Sequence, residues 1–228
     1  MALTFAGLAG PARYARRLRE RPRWAGRFFI LAALYIGLGI AGSVHRADLT
    51  AGRLPASASA QERSVARESM LDGTLVRSLF LPVRLFTGWS LFALALYYAC
   101  WIWSTREKVR YVHLFAAEVH AEGAMFLGNA AALAAVFLGG GEGRPSVPWI
   151  PAGLDRLVPA GDFTLRYILN SFNIFSALYV TVLAVTVSLM LGLSRTKALI
   201  SVLLAWGLTN FVNAGIFHAL RAEFHLGL

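Results

Sequence analysis

One cysteine, Cys100, stands in 228 residues, so no intramolecular disulfide can form and the redox character of the compartment leaves no mark. Acids are scarce: 12 Asp and Glu face 22 Lys and Arg, a net charge of +10. No G-x-S-x-G, phosphate-binding loop, dinucleotide fingerprint or C-x-x-C is present. Nor does any Asp, Glu, Lys or Arg occupy the middle of the long apolar runs. Proton or ion coupling generally needs an ionisable group at depth, so that absence weighs against a pump or an ion-coupled carrier. Together these gaps point to a protein that is not an enzyme and needs no cofactor or metal.

What the chain has is apolar length. Hydrophobic residues make up 57% of it and the mean hydropathy is +0.57, beyond what a soluble domain of this size carries. Two uncharged stretches, 167–193 and 198–220, are joined by Ser194-Arg195-Thr196-Lys197. At about 1.5 Å per residue each can cross a hydrocarbon layer roughly 30 Å thick. A turn that short makes them a helical hairpin, and Arg195 and Lys197 mark its cytoplasmic side.

Three more runs, 28–44, 85–104 and 123–141, bring the expectation to an all-α integral membrane protein of five spans. Seven arginines of the arm 1–27 (Arg13, Arg16, Arg17, Arg19, Arg21, Arg23 and Arg27) face one acid, Glu20, which orients the N-terminus to the cytoplasm. The cluster is better explained by this orienting role than by nucleic acid, which is not expected as a partner. Arg106, Lys108 and Arg110 then also fall inside. The segment before the fourth span balances Arg144, Arg156 and Arg166 with Glu142, Asp155 and Asp162, as an outer loop would, and a short tail, 221–228, ends outside. Only the basic stretch from His45 to Arg84 runs against the rule, and long loops cross largely regardless of charge. A cleaved signal near Ala41-Gly42-Ser43 is the alternative for the first span, disfavoured by the length of the arm.

Within the outer stretch 59–81, Val65, Leu71, Leu75 and Leu79 recur at helical spacing among charged residues, giving an amphipathic helix. Packing on its own bundle is the simpler reading; docking on the membrane surface or a partner is the other. Ala33, Gly37 and Ala41, and Gly128, Ala132, Ala135 and Gly139, form small-residue seams that let helix backbones approach.

Uncharged polar residues mark the spans. Asn170, Asn173, Thr181 and Ser188 fall within an arc of about 80° on an ideal helix. Asn210 and Asn213 lie one turn apart, and Asn129 belongs to the third span. Amides facing lipid would go unpaired, so these should face protein or water, as helix-packing contacts first and a polar path second. His113, Glu118, His120 and Glu122 suggest a metal site, but helical geometry sets the two histidines and the two glutamates on opposite faces, so they are expected to belong to an interfacial segment.

One resemblance stands out in the closing hairpin. Phe172-Asn173-Ile174-Phe175, the run through Leu183-Ala184-Val185, Gly192-Leu193-Ser194-Arg195-Thr196-Lys197-Ala198-Leu199 and Leu204-Ala205-Trp206 are similar to the end of the Yip-one domain family of integral membrane proteins. Weaker similarity reaches upstream through the earlier spans. The resemblance implies five spans and a cytoplasmic N-terminus. It does not imply Rab GTPase binding, because the Asp-Leu-Tyr-Gly-Pro-type motif of eukaryotic members is missing. The Ala- and Arg-rich composition fits a bacterial inner (cytoplasmic) membrane. The expected role is an accessory or scaffold subunit of a transport or trafficking-type membrane complex, touching lipid and other membrane proteins. A small-molecule or lipid transporter component is the alternative, and a membrane-embedded metal-dependent enzyme a second one.

Overall fold

The computed structural model describes residues 11–52, 54–55, 57–103, 110–137 and 163–224. Among them every regular element is an α-helix: α1 (Pro11–Glu20), α2 (Ala25–Gly52), α3 (Ala60–Trp101), α4 (Tyr111–Ala121), α5 (Gly123–Phe137), α6 (Phe163–Asn170), α7 (Ile174–Leu191) and α8 (Arg195–Phe224). Four helices are long and apolar enough to cross a membrane: α2, α3, α7 and the Arg195–Gly215 part of α8. The architecture fits an all-α membrane protein.

The expected first span lies inside α2, and the expected second span, up to Trp101, inside α3. The outer amphipathic segment is not a separate element. It runs straight into the second span as the first half of α3, a helix of 42 residues. That helix continues through Pro82, losing only the amide bond that proline cannot donate. Its start is fixed by a capping box: the Ser59 hydroxyl accepts from the Glu62 amide at 3.2 Å, and the Ser59 amide donates back to the Glu62 carboxylate at 2.7 Å. α2 lies antiparallel along it. Arg67 pairs with Asp48 at 2.7 Å, and Arg63 donates to the Ala51, Pro55 and Ala58 carbonyls, which closes the connected end of the hairpin.

The expected third span is a 15-residue helix, α5, to Phe137; residues 138–141 lie outside the described part, as do the Gly- and Pro-rich loop that follows and the Arg106/Lys108 loop. The helix is nevertheless not isolated. Glu122 joins it to α4, with the Glu122 amide bonded to the Glu118 carbonyl and the Phe126 amide to the Glu122 carbonyl. The helical ladder therefore crosses the joint. The expected fourth span is interrupted at 171–173, between α6 and α7. The hairpin α7–α8 forms as anticipated, and its turn has a physical basis in two nearby residues. Gly192 ends α7 in the left-handed region at φ +67°, where a Cβ would be strained, and the Ser194 carbonyl and hydroxyl accept from the Ala198 and Lys197 amides to begin α8.

Two apolar clusters hold the bundle. One gathers Phe92, Leu96, Leu114, Tyr179, Leu183, Val187, Met190 and Val202 from α3, α4, α7 and α8. The other joins Phe28, Trp89, Phe115 and Phe126, with Trp24 edge-on to Phe115 at 5.0 Å between ring centres. The opposite faces present Phe29, Leu91, Leu203, Leu208 and Phe211 outward, as helices bathed in lipid do. From Pro11 on, the basic arm packs against the bundle. Its helix α1 sets Ala15 and Leu18 into the first cluster.

Candidate functional site

The polar residues picked out along the spans bond mostly to nearby backbone. Asn173 is the N-cap of α7: its Oδ1 accepts from the Phe175 and Ser176 amides at 2.9 and 3.0 Å, and its Nδ2 donates to the Asn170 carbonyl. Thr181 and Ser188 bond to the Ala177 and Leu193 carbonyls, and Thr181 is exposed while Ser188 is buried. Asn129 and Asn210 donate to the Met125 and Trp206 carbonyls one turn earlier on their own helices. Asn210 also reaches beyond its own helix, accepting from Ser171 at 3.1 Å. Asn213 is exposed. The interruption at 171–173 makes Asn173 a cap, while Asn129 and Asn210 bond back to the carbonyl one turn earlier on their own helices. Arg195 and Lys197 are exposed at the start of α8, with the Lys197 ammonium 5.6 Å from the Trp103 ring centre. His218 has a side chain outside the described residues.

The polar centre of the bundle is instead on α4. Leu114 through Ala121 are all buried, so α4 packs within the bundle. Glu118 is 2% exposed and accepts from the Tyr179 hydroxyl of α7 at 2.5 Å. One turn on, Glu122 accepts from the Tyr35 hydroxyl of α2 at 2.8 Å. Two carboxyl groups thus tie α4 to α2 and α7. Among the described residues no Lys or Arg stands within ion-pair distance of either.

The histidines leave by the other side of α4. His120 bonds its Nδ1 to the Ala116 carbonyl at 2.7 Å and sets its ring 5.4 Å from that of Tyr14 on α1. His113 lies near Arg19, also on α1. The opposite-face geometry read from helical spacing therefore holds. Among the described residues no three His, Cys, Asp or Glu side chains gather where they could hold a metal.

Sequence spacing identified Glu118 and Glu122 but not their role, because both tyrosines that hold them are distant, 61 and 87 residues away. The only local signal is two carboxyls four residues apart, both on one face, just before an alanine-rich helix.

The fold and this polar centre define a multi-pass α-helical bundle with a carboxyl pair at its heart. Comparison with known families, curated proteins and solved structures finds no match to the chain.

Proposed function

We propose that this is a five-crossing protein of a bacterial cytoplasmic membrane, N-terminus inside and C-terminus outside, serving as a non-catalytic accessory or scaffold subunit of a transport or trafficking-type complex. The fifth crossing is α4 and α5 in series, residues 111–137, about 40 Å at about 1.5 Å per residue. The Arg195/Lys197 turn and the basic arm set the inside. Kinship with the Yip-one domain family rests on the Phe172-to-Trp206 motif.

The observation that carries the accessory reading is the length of α3. Its 42 residues reach about 63 Å, twice a hydrocarbon core of about 30 Å. Its outer half therefore stands clear of the bilayer, clipped to the end of α2 by Arg63 and Arg67. Val65, Val76, Leu79 and Val83 lie within an arc of about 60° on the side away from α2. All four are more than half exposed. A stiff helix that leaves an apolar stripe in water is suited to hold a partner subunit.

A photo-cross-linking residue at Val76 tests this in membranes of the native host. One discrete adduct, lost when the apolar stripe is broken by Val65→Asp, supports the reading. Absence of any intermolecular adduct, with a lone protein in mild detergent, rules against it.

A transport component is the second reading, and Glu118 and Glu122 favour it. Carboxyl groups inside a membrane bundle without a cation are groups that can take up and release protons. This shifts the transport hypothesis from the asparagines, whose bonds are spent mostly on nearby backbone, to α4. Proton uptake on acidification of reconstituted vesicles, abolished by Glu118→Gln, is its signature. Uptake unchanged by that substitution removes it.

A further inference from the structure

We propose that the outer face of α1 is a seat for the phosphate groups of anionic phospholipids. Around this helix Ala15 and Leu18 point into the bundle and are buried. Arg13, Arg16 and Arg17 occupy the opposite face, within an arc of about 100°, and all three are exposed. Arg19, Arg21 and Arg23 flank them, also exposed. Among the described residues none of these guanidinium groups has a carboxylate within ion-pair distance, and Glu20 is the one acid of the segment.

A loose basic tail would say little beyond orientation. This one is packed on the bundle. Tyr14 sets its ring 5.4 Å from that of His120, and Ala15 and Leu18 are buried in the first apolar cluster. Residues 21–24 then lead directly into α2, the first of the apolar helices. The arginines cannot drift from the membrane, and they are presented together on a fixed helix. A planar guanidinium offers paired donors that match phosphate oxygens. The anionic headgroup layer supplies that chemistry at the level where such a helix lies.

The inference rests on the membrane reading of the chain, so resistance of the full-length protein to alkaline extraction from membranes is scored separately. The test proper uses purified full-length protein in a neutral detergent. The thermal unfolding midpoint is followed as phosphatidylglycerol or phosphatidylcholine is added, with lipid retention read by native mass spectrometry. Phosphatidylglycerol is expected to raise the midpoint and to be retained at concentrations at least tenfold lower than phosphatidylcholine. The triple variant Arg13→Gln, Arg16→Gln, Arg17→Gln should lose most of that preference, and the matching lysine triple should keep a substantial part of it. Equal response to both lipids overturns the proposal, as does full preference in the glutamine triple. A shift given equally by inorganic phosphate, or by a short RNA in place of the lipid, also overturns it. A glutamine triple that does not fold leaves the wild-type lipid comparison and the lysine triple to decide.

Discussion

Tyr179 of α7 donates its phenolic hydrogen to Glu118 of α4 across 2.5 Å, in a site from which solvent is excluded. Removing the donor and removing the acid are different experiments. Tyr179→Phe leaves a buried carboxyl without its hydrogen-bond donor, which costs about 1–3 kcal/mol. Glu118→Gln keeps a carbonyl oxygen to accept from Tyr179 and should cost less. Equilibrium unfolding in mixed micelles ranks the two variants. A Tyr179→Phe protein as stable as wild type would show that this bond does not hold α7 to α4.

The second pair, Tyr35 and Glu122, separates the two functional readings. Glu122→Gln retains the acceptor for Tyr35, so a scaffold should keep its fold and its cross-linked partner. A proton-carrying component should keep its fold and lose proton uptake. Parallel assays of cross-linking at Val76 and vesicle acidification distinguish these outcomes on one protein preparation.

At Gly128, α5 packs against Phe175 of α7. A Cβ there would sit 2.9 Å from Phe175 Cγ and 3.0 Å from its Cβ, atoms near the backbone that cannot swing aside. Gly128→Ala is therefore expected to cost about 1–3 kcal/mol through overpacking. Gly37, in the other small-residue seam, has nothing within 4 Å of where a methyl group would stand, so Gly37→Ala should be neutral or gain up to about 1 kcal/mol of helix preference. Thermal unfolding of the two variants side by side checks the contrast.

The difference between those glycines shows what the sequence could and could not disclose. Both seams have helical spacing, yet spacing says nothing about which face meets a neighbour. The closing hairpin was legible because its information is local: uncharged runs, a glycine to end one helix and a serine to begin the next. Its Gly192-Leu193-Ser194 run is turn chemistry that any tight helical hairpin needs, which is also why it resembles a family motif. The carboxyl centre was not legible. Hydropathy placed Glu118 and Glu122 at a membrane edge because four charged or ionisable residues crowd one short stretch. Only the tertiary partners Tyr179 and Tyr35 pack that stretch within the bundle. The asparagine stripe assumed one unbroken helix, whereas Asn173 caps a new one, a break that helical spacing alone does not reveal.

Gly192 gives the hairpin its second test. At φ +67° a Cβ meets the neighbouring backbone, although no other atom lies within 4 Å. Gly192→Ala should cost about 1 kcal/mol, whereas Gly192→Asn, which tolerates the left-handed region, should cost less. Equal losses would mean that the turn relaxes out of that conformation, and unfolding curves for the two variants decide.

The N-terminal tip of α3 carries a pH dependence of known sign. Glu62 is fully solvent-exposed there, outside the apolar stretch, and the Ser59 amide and hydroxyl hold its carboxyl below the ordinary glutamate value. A group with a lowered folded value adds stability that is fully present above its unfolded value. That contribution is lost as the pH falls through the lowered one. At neutral pH the capping box is therefore complete, and in acid the first turn of α3 should fray. Hydrogen exchange at the Arg63 and Ser64 amides, corrected for its intrinsic pH dependence, should report lost protection on acidification. Glu62→Gln should flatten that profile because its side chain does not titrate in this range. Ser59→Ala should raise exchange roughly fivefold at neutral pH, the effect of losing one N-cap. Protection that falls equally in wild type and Glu62→Gln would show that the capping box does not set the acid sensitivity of this tip.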